Sequence, residues 1–189
     1  MTPPQTPSRA AAPPFEIREA RREDAGVIHS MIGALADYEK LRHLFVASEY
    51  DIETALFGPS PRAEVILAWQ GGEAAAFALY LHNFSTFLGR PGLWLEDLFV
   101  RPEYRRQGCA QALLRALAGI AQARGCGRFE WSVLDWNTSA IDFYQSLGAT
   151  ILPDWRIVRV VGPSLAALAQ GRDGTTDAAA AAPPLPVDR

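Results

Sequence analysis

Residues 93–117 place a strand, a tight polar turn and a helix in immediate succession, and this junction limits the possible architectures more than any other stretch. Residues 93–100 are apolar enough for a strand. The turn Arg101-Pro-Glu-Tyr-Arg-Arg-Gln-Gly108 follows, and Leu113, Leu114 and Leu117 then share one helical face. Gly125 and Gly127 end that helix near Arg124, and residues 129–134 read as another strand. A strand, a crossover helix and a second strand form a parallel unit.

Upstream, the pattern is antiparallel. Residues 15–19 alternate as a short strand, and Val27, Ile28, Met31, Ile32 and Leu35 follow at helical spacing. Ser48 and Asp51 form a capping-box pattern for a short helix that Gly58 closes. Residues 63–69 and 74–81 flank Gly71-Gly72, a strong hairpin signal. Downstream, Asn137 caps a helix through Leu147, closed by Gly148, and residues 155–161 read as a final strand. The fold class expected is α/β, a mixed central sheet with flanking helices.

At 189 residues and 49% hydrophobic content, the chain suits one folded domain, expected at 15–162. Residues 1–14 read as a disordered N-terminal tail and 163–189 as an Ala/Pro-rich C-terminal tail. A net charge of -3 and a pI near 5.6, without a basic run, argue against a nucleic-acid partner. No apolar stretch reaches the roughly 20 residues that span a bilayer, and the first residues do not read as a secretory signal. The compartment expected is the cytoplasm, with no membrane partner. His29, His43 and His82 are scattered, and Cys109 and Cys126 lack CxxC spacing. No metal site is expected, and both thiols read as reduced.

The turn after Val100 has a chemical reading and a plain one. A helix N-terminus presents unpaired N–H groups and a positive dipole end, both suited to a diphosphate. Gly108 and Ala110 are small enough for such an anion to reach the main chain, and Arg105 and Arg106 add charge. The plain alternative is an ordinary strand-to-helix turn with a solvated arginine pair.

Arg105-x-x-Gly108-x-Ala110, after Leu-Phe-Val and Arg-Pro-Glu-Tyr, resembles the acetyl-CoA motif of the GNAT superfamily of N-acetyltransferases, with Ala110 where Gly is commoner. Asp135-Trp-Asn137 and Ala140-Ile-Asp-Phe-Tyr144, followed by Gly148-Ala149, resemble that family's second cofactor segment. Within the superfamily, Leu35-Ala-Asp-Tyr-Glu39, Trp94-Leu-Glu-Asp-Leu-Phe-Val100 and Trp155-Arg156 resemble the diamine (spermidine/spermine) N-acetyltransferases and their thialysine-acetylating relatives. The resemblance implies a GNAT-type acyl-CoA N-acyltransferase fold, acetyl-CoA as co-substrate and a homodimer. The reaction it implies is acetyl transfer by direct attack of a primary amine on a small, cationic, polyamine-like substrate. The alternatives are a thialysine- or lysine-like side-chain amine, another small amine, or a non-catalytic acetyl-CoA-binding module. The cofactor contacts implied are Leu98, Phe99, Val100, Arg105, Arg106, Gln107, Gly108, Cys109, Ala110, Gln111, Asn137 and Tyr144.

The chemistry gives each remaining candidate a reason. An alkylamine of pKa near 10.4 is neutral in only about one molecule in 2,500 at pH 7, a cost of about 4.6 kcal/mol. A neighbouring carboxylate attracts the cation and then takes its proton. The resemblance implies that Glu96 is this base and that Asp97 contacts a charged substrate. Adjacent strand residues point to opposite faces, however, so both reach one nitrogen only if the strand bulges. One of the pair is otherwise a solvated or ion-paired carboxylate.

Tyr144 fits a general acid for the departing thiolate, or a packed core ring. Asn137 serves as a cap, a cofactor contact or both, and amides near Leu98 and Val100 suit polarisation of the thioester carbonyl. Tyr38 and Glu39 match the substrate-proximal segment, although a solvated helix end explains them equally well. Cys109 lacks a neighbouring base and reads as a small filler. Trp155 either closes the amine site or packs the core.

Overall fold

Gly71 and Gly72 turn the chain with positive φ at both residues, 62° and 84°, a succession that glycine adopts without strain. They join β2 (Glu64–Gln70) to β3 (Glu73–Ser85) as an antiparallel hairpin. The computed structural model describes residues 14–172. Residues 1–13 and 173–189 of the expected tails lie outside the described residues. The chain divides into two units, Met1–Ser132 and Val133–Arg189.

In the first unit, β1 (Glu16–Glu19), β2, β3, β4 (Arg90–Val100) and β5 (Phe129–Trp131) form one sheet in chain order. The first four strands are antiparallel, and β5 lies parallel to β4. This is the mixed sheet that the hairpin and crossover patterns predict.

Helix α1 (Ala25–Tyr38) and helix α2 (Glu49–Phe57) cover one face. Ser48 Oγ accepts from the Asp51 amide, and the Asp51 carboxylate accepts from the Ser48 amide at 2.8 Å. That reciprocal pair sets where α2 begins. Ile28, Met31, Leu35 and Leu56 pack against Val65, Leu67, Phe77 and Phe99. Each such buried side chain contributes about 2 kcal/mol.

Helix α3 (Cys109–Ala123) covers the other face with Leu113, Leu114, Leu117 and Ala121. The strand register directs Ile66, Ala68, Ala76, Ala78, Tyr80, Leu93 and Leu95 toward it, all of them buried. Just past the C-terminal end of β1, the buried Asp24 carboxylate accepts two bonds from Arg18, at 2.7 and 2.9 Å. The Arg18 hydrogen bonds hold that carboxyl below its ordinary value.

The second unit contains α4 (Thr138–Ser146) and α5 (Gly162–Ala169). Helix α5 occupies the start of the segment read as a C-terminal tail. Residues 155–161 do not form the expected strand, and Ile157 and Val158 are 71% and 88% exposed. Apolar alternation supplies β-propensity, but a strand also needs a ladder partner for its amides. Strand β5 is likewise shorter than the expected 129–134. No helix among the described residues is long and apolar enough to cross a membrane.

Candidate active site

Strand β4 carries one residue more than its partner needs. Asp97 pairs with Leu79 and Leu95 pairs with Tyr80, which leaves Glu96 as the extra residue of a β-bulge. The faces show the consequence. Leu93 and Leu95 point toward α3, whereas Asp97 and Phe99 align with Leu79 and Phe77 on the α1 side. The bulge required for both carboxylates to serve one substrate is present.

Trp94 also points to the α1 side by register, and its indole Nε1 donates to Glu96 Oε2 at 2.7 Å. Burial first, and then the negative charges of Glu96 and Glu39, push the Asp97 carboxyl up to about 6. Glu39 sits half-buried at the C-terminal end of α1, and burial raises its carboxyl as well. Three carboxylates from two elements are thus near neighbours, with Asp97 and Glu39 partly buried and Glu96 exposed. Trp94 is absent from the sequence-derived candidates. Its signal was the two-residue spacing to Glu96, which places both on one side of a strand.

The main chain of β4 opens beside these groups. Strand β5 pairs only with Leu93–Leu95, so among the described residues β4 continues past the bulge with β3 alone. The Arg101 amide donates to the Ala75 carbonyl at 3.0 Å. Hydrogen-bonded and outward-facing residues alternate in an antiparallel pair. Phe99 and Asp97 therefore turn their amides to β3, while Leu98 and Val100 turn theirs to the open side. Phe99, named with Leu98 and Val100, lies on the face opposite theirs. Its amide is used by the sheet, and its side chain is 5% exposed in the core beneath α1.

The turn leading to α3 is fastened at several points. Tyr104 donates to Glu73 at 2.8 Å, Gln107 Nε2 to the Glu103 carbonyl at 2.8 Å, and Arg105 Nε to the Val100 carbonyl at 3.0 Å. Arg106 and Gly108 both take left-handed backbone, with φ of 62° and 83°. Alternating backbone of this kind turns successive amides toward one concavity. Gly108 caps α3 without any side-chain bond, so the amides of Cys109, Ala110 and Gln111 start the helix with no carbonyl to meet. A Cβ built on Gly108 would meet nothing within 4 Å. A diphosphate fits this open, amide-lined corner. Both arginines are exposed, and the Arg105 guanidinium lies 4.9 Å from the Tyr38 ring and 5.8 Å from the Phe99 ring.

Cys109 is 2% exposed, and burial pushes its thiol up to about 11. It stays protonated near neutrality. In the second unit, Asn137 caps α4 by accepting from the Ala140 amide at 3.3 Å. Tyr144 is half-buried on α4 beside Phe143, their ring centroids 5.5 Å apart. Trp155 is 75% exposed, so it packs no core.

Residues 26–149 match the Acetyltransferase (GNAT) family. The chain is 38% identical over 164 residues to the thialysine N-epsilon-acetyltransferase of Mus musculus, covering 81% of this chain and 96% of that protein. It is 32% identical over 197 residues to an L-ornithine N5-acetyltransferase of Arabidopsis thaliana, covering 80% and 86%. An integron cassette protein from the mobile metagenome of V. cholerae superposes with a TM-score of 0.71 at 26% identity, covering 82% of this chain and 98% of that one. The chain therefore belongs to the GNAT family and is an acetyltransferase that moves the acetyl group of acetyl-CoA to an amine.

Proposed function

We propose that the acceptor is the side-chain amine of a small basic amino acid, of the thialysine or ornithine kind, acetylated by direct attack. The observation that carries this reading is the bulge at Glu96, which gathers Glu96, Asp97 and Glu39 around one position for a cation. The names of the two relatives support the same acceptor class. An amino acid also brings a carboxylate, and cations flank the end of α1. Arg105 lies over Tyr38, and Arg42 pairs with Asp37 at 3.2 Å. A polyamine, all cation, suits the three carboxylates but gains nothing from those arginines.

Acetyl-CoA supplies the acetyl group as a thioester. In this reading the amides from Arg106 to Gln111, with the Arg106 charge, hold its diphosphate, and Asn137 adds a contact. The outward amides of Leu98 and Val100 polarise the thioester carbonyl. Asp97 and Glu39 attract the ammonium group, with Tyr38 as a wall, and Glu96 accepts the proton directly or through water. Tyr144 returns a proton to the departing thiolate. The high thiol pKa of Cys109 supports a route without an acyl-enzyme.

The test is CoA thiol release with thialysine, L-ornithine, L-lysine, putrescine and spermidine. We expect kcat/KM for thialysine or ornithine to exceed both polyamines by at least about 10-fold, near 1.4 kcal/mol of discrimination. Faster polyamine turnover would transfer the reading to the diamine class. Tight acetyl-CoA binding with no amine acetylated would make the chain a binding module. A homodimer is proposed from the exposed Phe84, Phe87 and Leu88 around the β3–β4 turn, to be checked by light scattering. A cytoplasmic location fits the free Cys109 and Cys126.

A further inference from the structure

Arg105 touches both halves of the chemistry without belonging wholly to either. It stands in the diphosphate turn, its Nε holds the Val100 carbonyl at 3.0 Å, and its guanidinium covers Tyr38 at 4.9 Å. Tyr38 ends α1, and Glu39, the next residue, is close enough to Asp97 to oppose its ionisation. The end of β4, the phosphate turn and the substrate-facing end of α1 therefore meet at one side chain. We infer that Arg105 is a positioning residue through which acetyl-CoA binding orders the amine site.

The physical basis is the shape of the group. A planar guanidinium donates through Nε in its own plane while its face stacks on an aromatic ring. With Nε committed to Val100, its two outer nitrogens remain as the donors for an anion held in the turn. An anion seated there fixes the plane of the guanidinium, and the stack passes that order to Tyr38 and the adjoining Glu39. A lysine keeps the charge but loses both the plane and the Nε bond.

This inference rests on the reading of the turn as the diphosphate cradle. The experiment is calorimetric titration of thialysine with and without saturating CoA, a dead-end pair in which no acetyl group moves. Wild type is expected to bind thialysine at least about 5-fold more tightly with CoA present, the low end of ordinary coupling between sites. Arg105→Lys and Tyr38→Ala should bring that ratio to about 1, and Tyr38→Phe, which keeps the ring, should preserve it. Circular dichroism and CoA binding by each variant report that it is folded.

A ratio of 1 in wild type, or an unchanged ratio in Arg105→Lys and Tyr38→Ala, overturns the inference. Equal weakening of thialysine with and without CoA does so too, because it assigns Arg105 to the substrate carboxylate. Failure of wild type to bind CoA at all overturns the cradle itself, a separate result visible before any ratio is taken.

Discussion

Replacing Asp97 with Asn should make this enzyme more stable and less active. The Asp97 carboxyl stands at about 6 where 3.8 is ordinary, because of burial and the charges of Glu96 and Glu39. A carboxyl with a raised folded value weakens the fold when ionised. The cost is complete above the folded value and disappears below the unfolded one. At 1.36 kcal/mol per tenfold change, the gap corresponds to about 3 kcal/mol at pH 8. Asn has nearly the same shape and no charge to desolvate, so Asp97→Asn recovers up to that amount. The gain should shrink to less than about 1 kcal/mol at pH 4, where the wild-type carboxyl already carries its proton. Urea unfolding of both proteins at pH 8, 6 and 4 measures it, and turnover should fall at least about 10-fold. A variant no more stable than wild type at pH 8, or one whose advantage is the same at every pH, would refute the account of Asp97.

The Arg18–Asp24 pair should show the opposite sign. Its stabilisation is present above the ordinary carboxylate range and is lost as pH falls through the lowered Asp24 value. Arg18→Ala, which strands a buried carboxylate, should cost about 3 kcal/mol in urea at pH 7. Gly108→Trp should abolish acetyl-CoA binding by calorimetry while circular dichroism shows a folded chain; tight binding would refute the role of the turn. It should also cost about 1–3 kcal/mol, because Gly108 holds φ at 83°. Tyr144→Phe should lower kcat by about 10²–10⁴-fold with the Kd for acetyl-CoA nearly kept. Unchanged turnover would remove Tyr144 from the mechanism.

The parts of this fold legible in the sequence are those fixed by neighbours along the chain. Gly71-Gly72 announces its hairpin, Ser48 and Asp51 announce the start of α2, and the leucines of α3 show which face is buried. What was hidden depends on pairs of elements. Alternation along β4 places Leu95, Asp97 and Phe99 together, and only the offset against Leu79 and Tyr80 shows that Asp97 has changed sides. The stack of Arg105 on Tyr38 joins residues 67 positions apart, which no local pattern records. Residues 155–161 erred the other way, since a strand-like composition found no ladder among the described residues. The catalytic assignments of Glu96 and Tyr144 came from family words rather than from spacing, and they stay with the proposal.

Glu96 can be removed on paper without disturbing any other inward or outward assignment in β4. Trp94, Leu95, Asp97, Leu98 and Phe99 would then alternate without interruption, as the ladder prefers. In the proposed reading, a one-codon deletion would therefore yield a tidier sheet that lacks its proton acceptor. Regularity and reactivity in this strand are separated by a single insertion, and a screen that rewarded thermal resistance alone would be expected to discard it first.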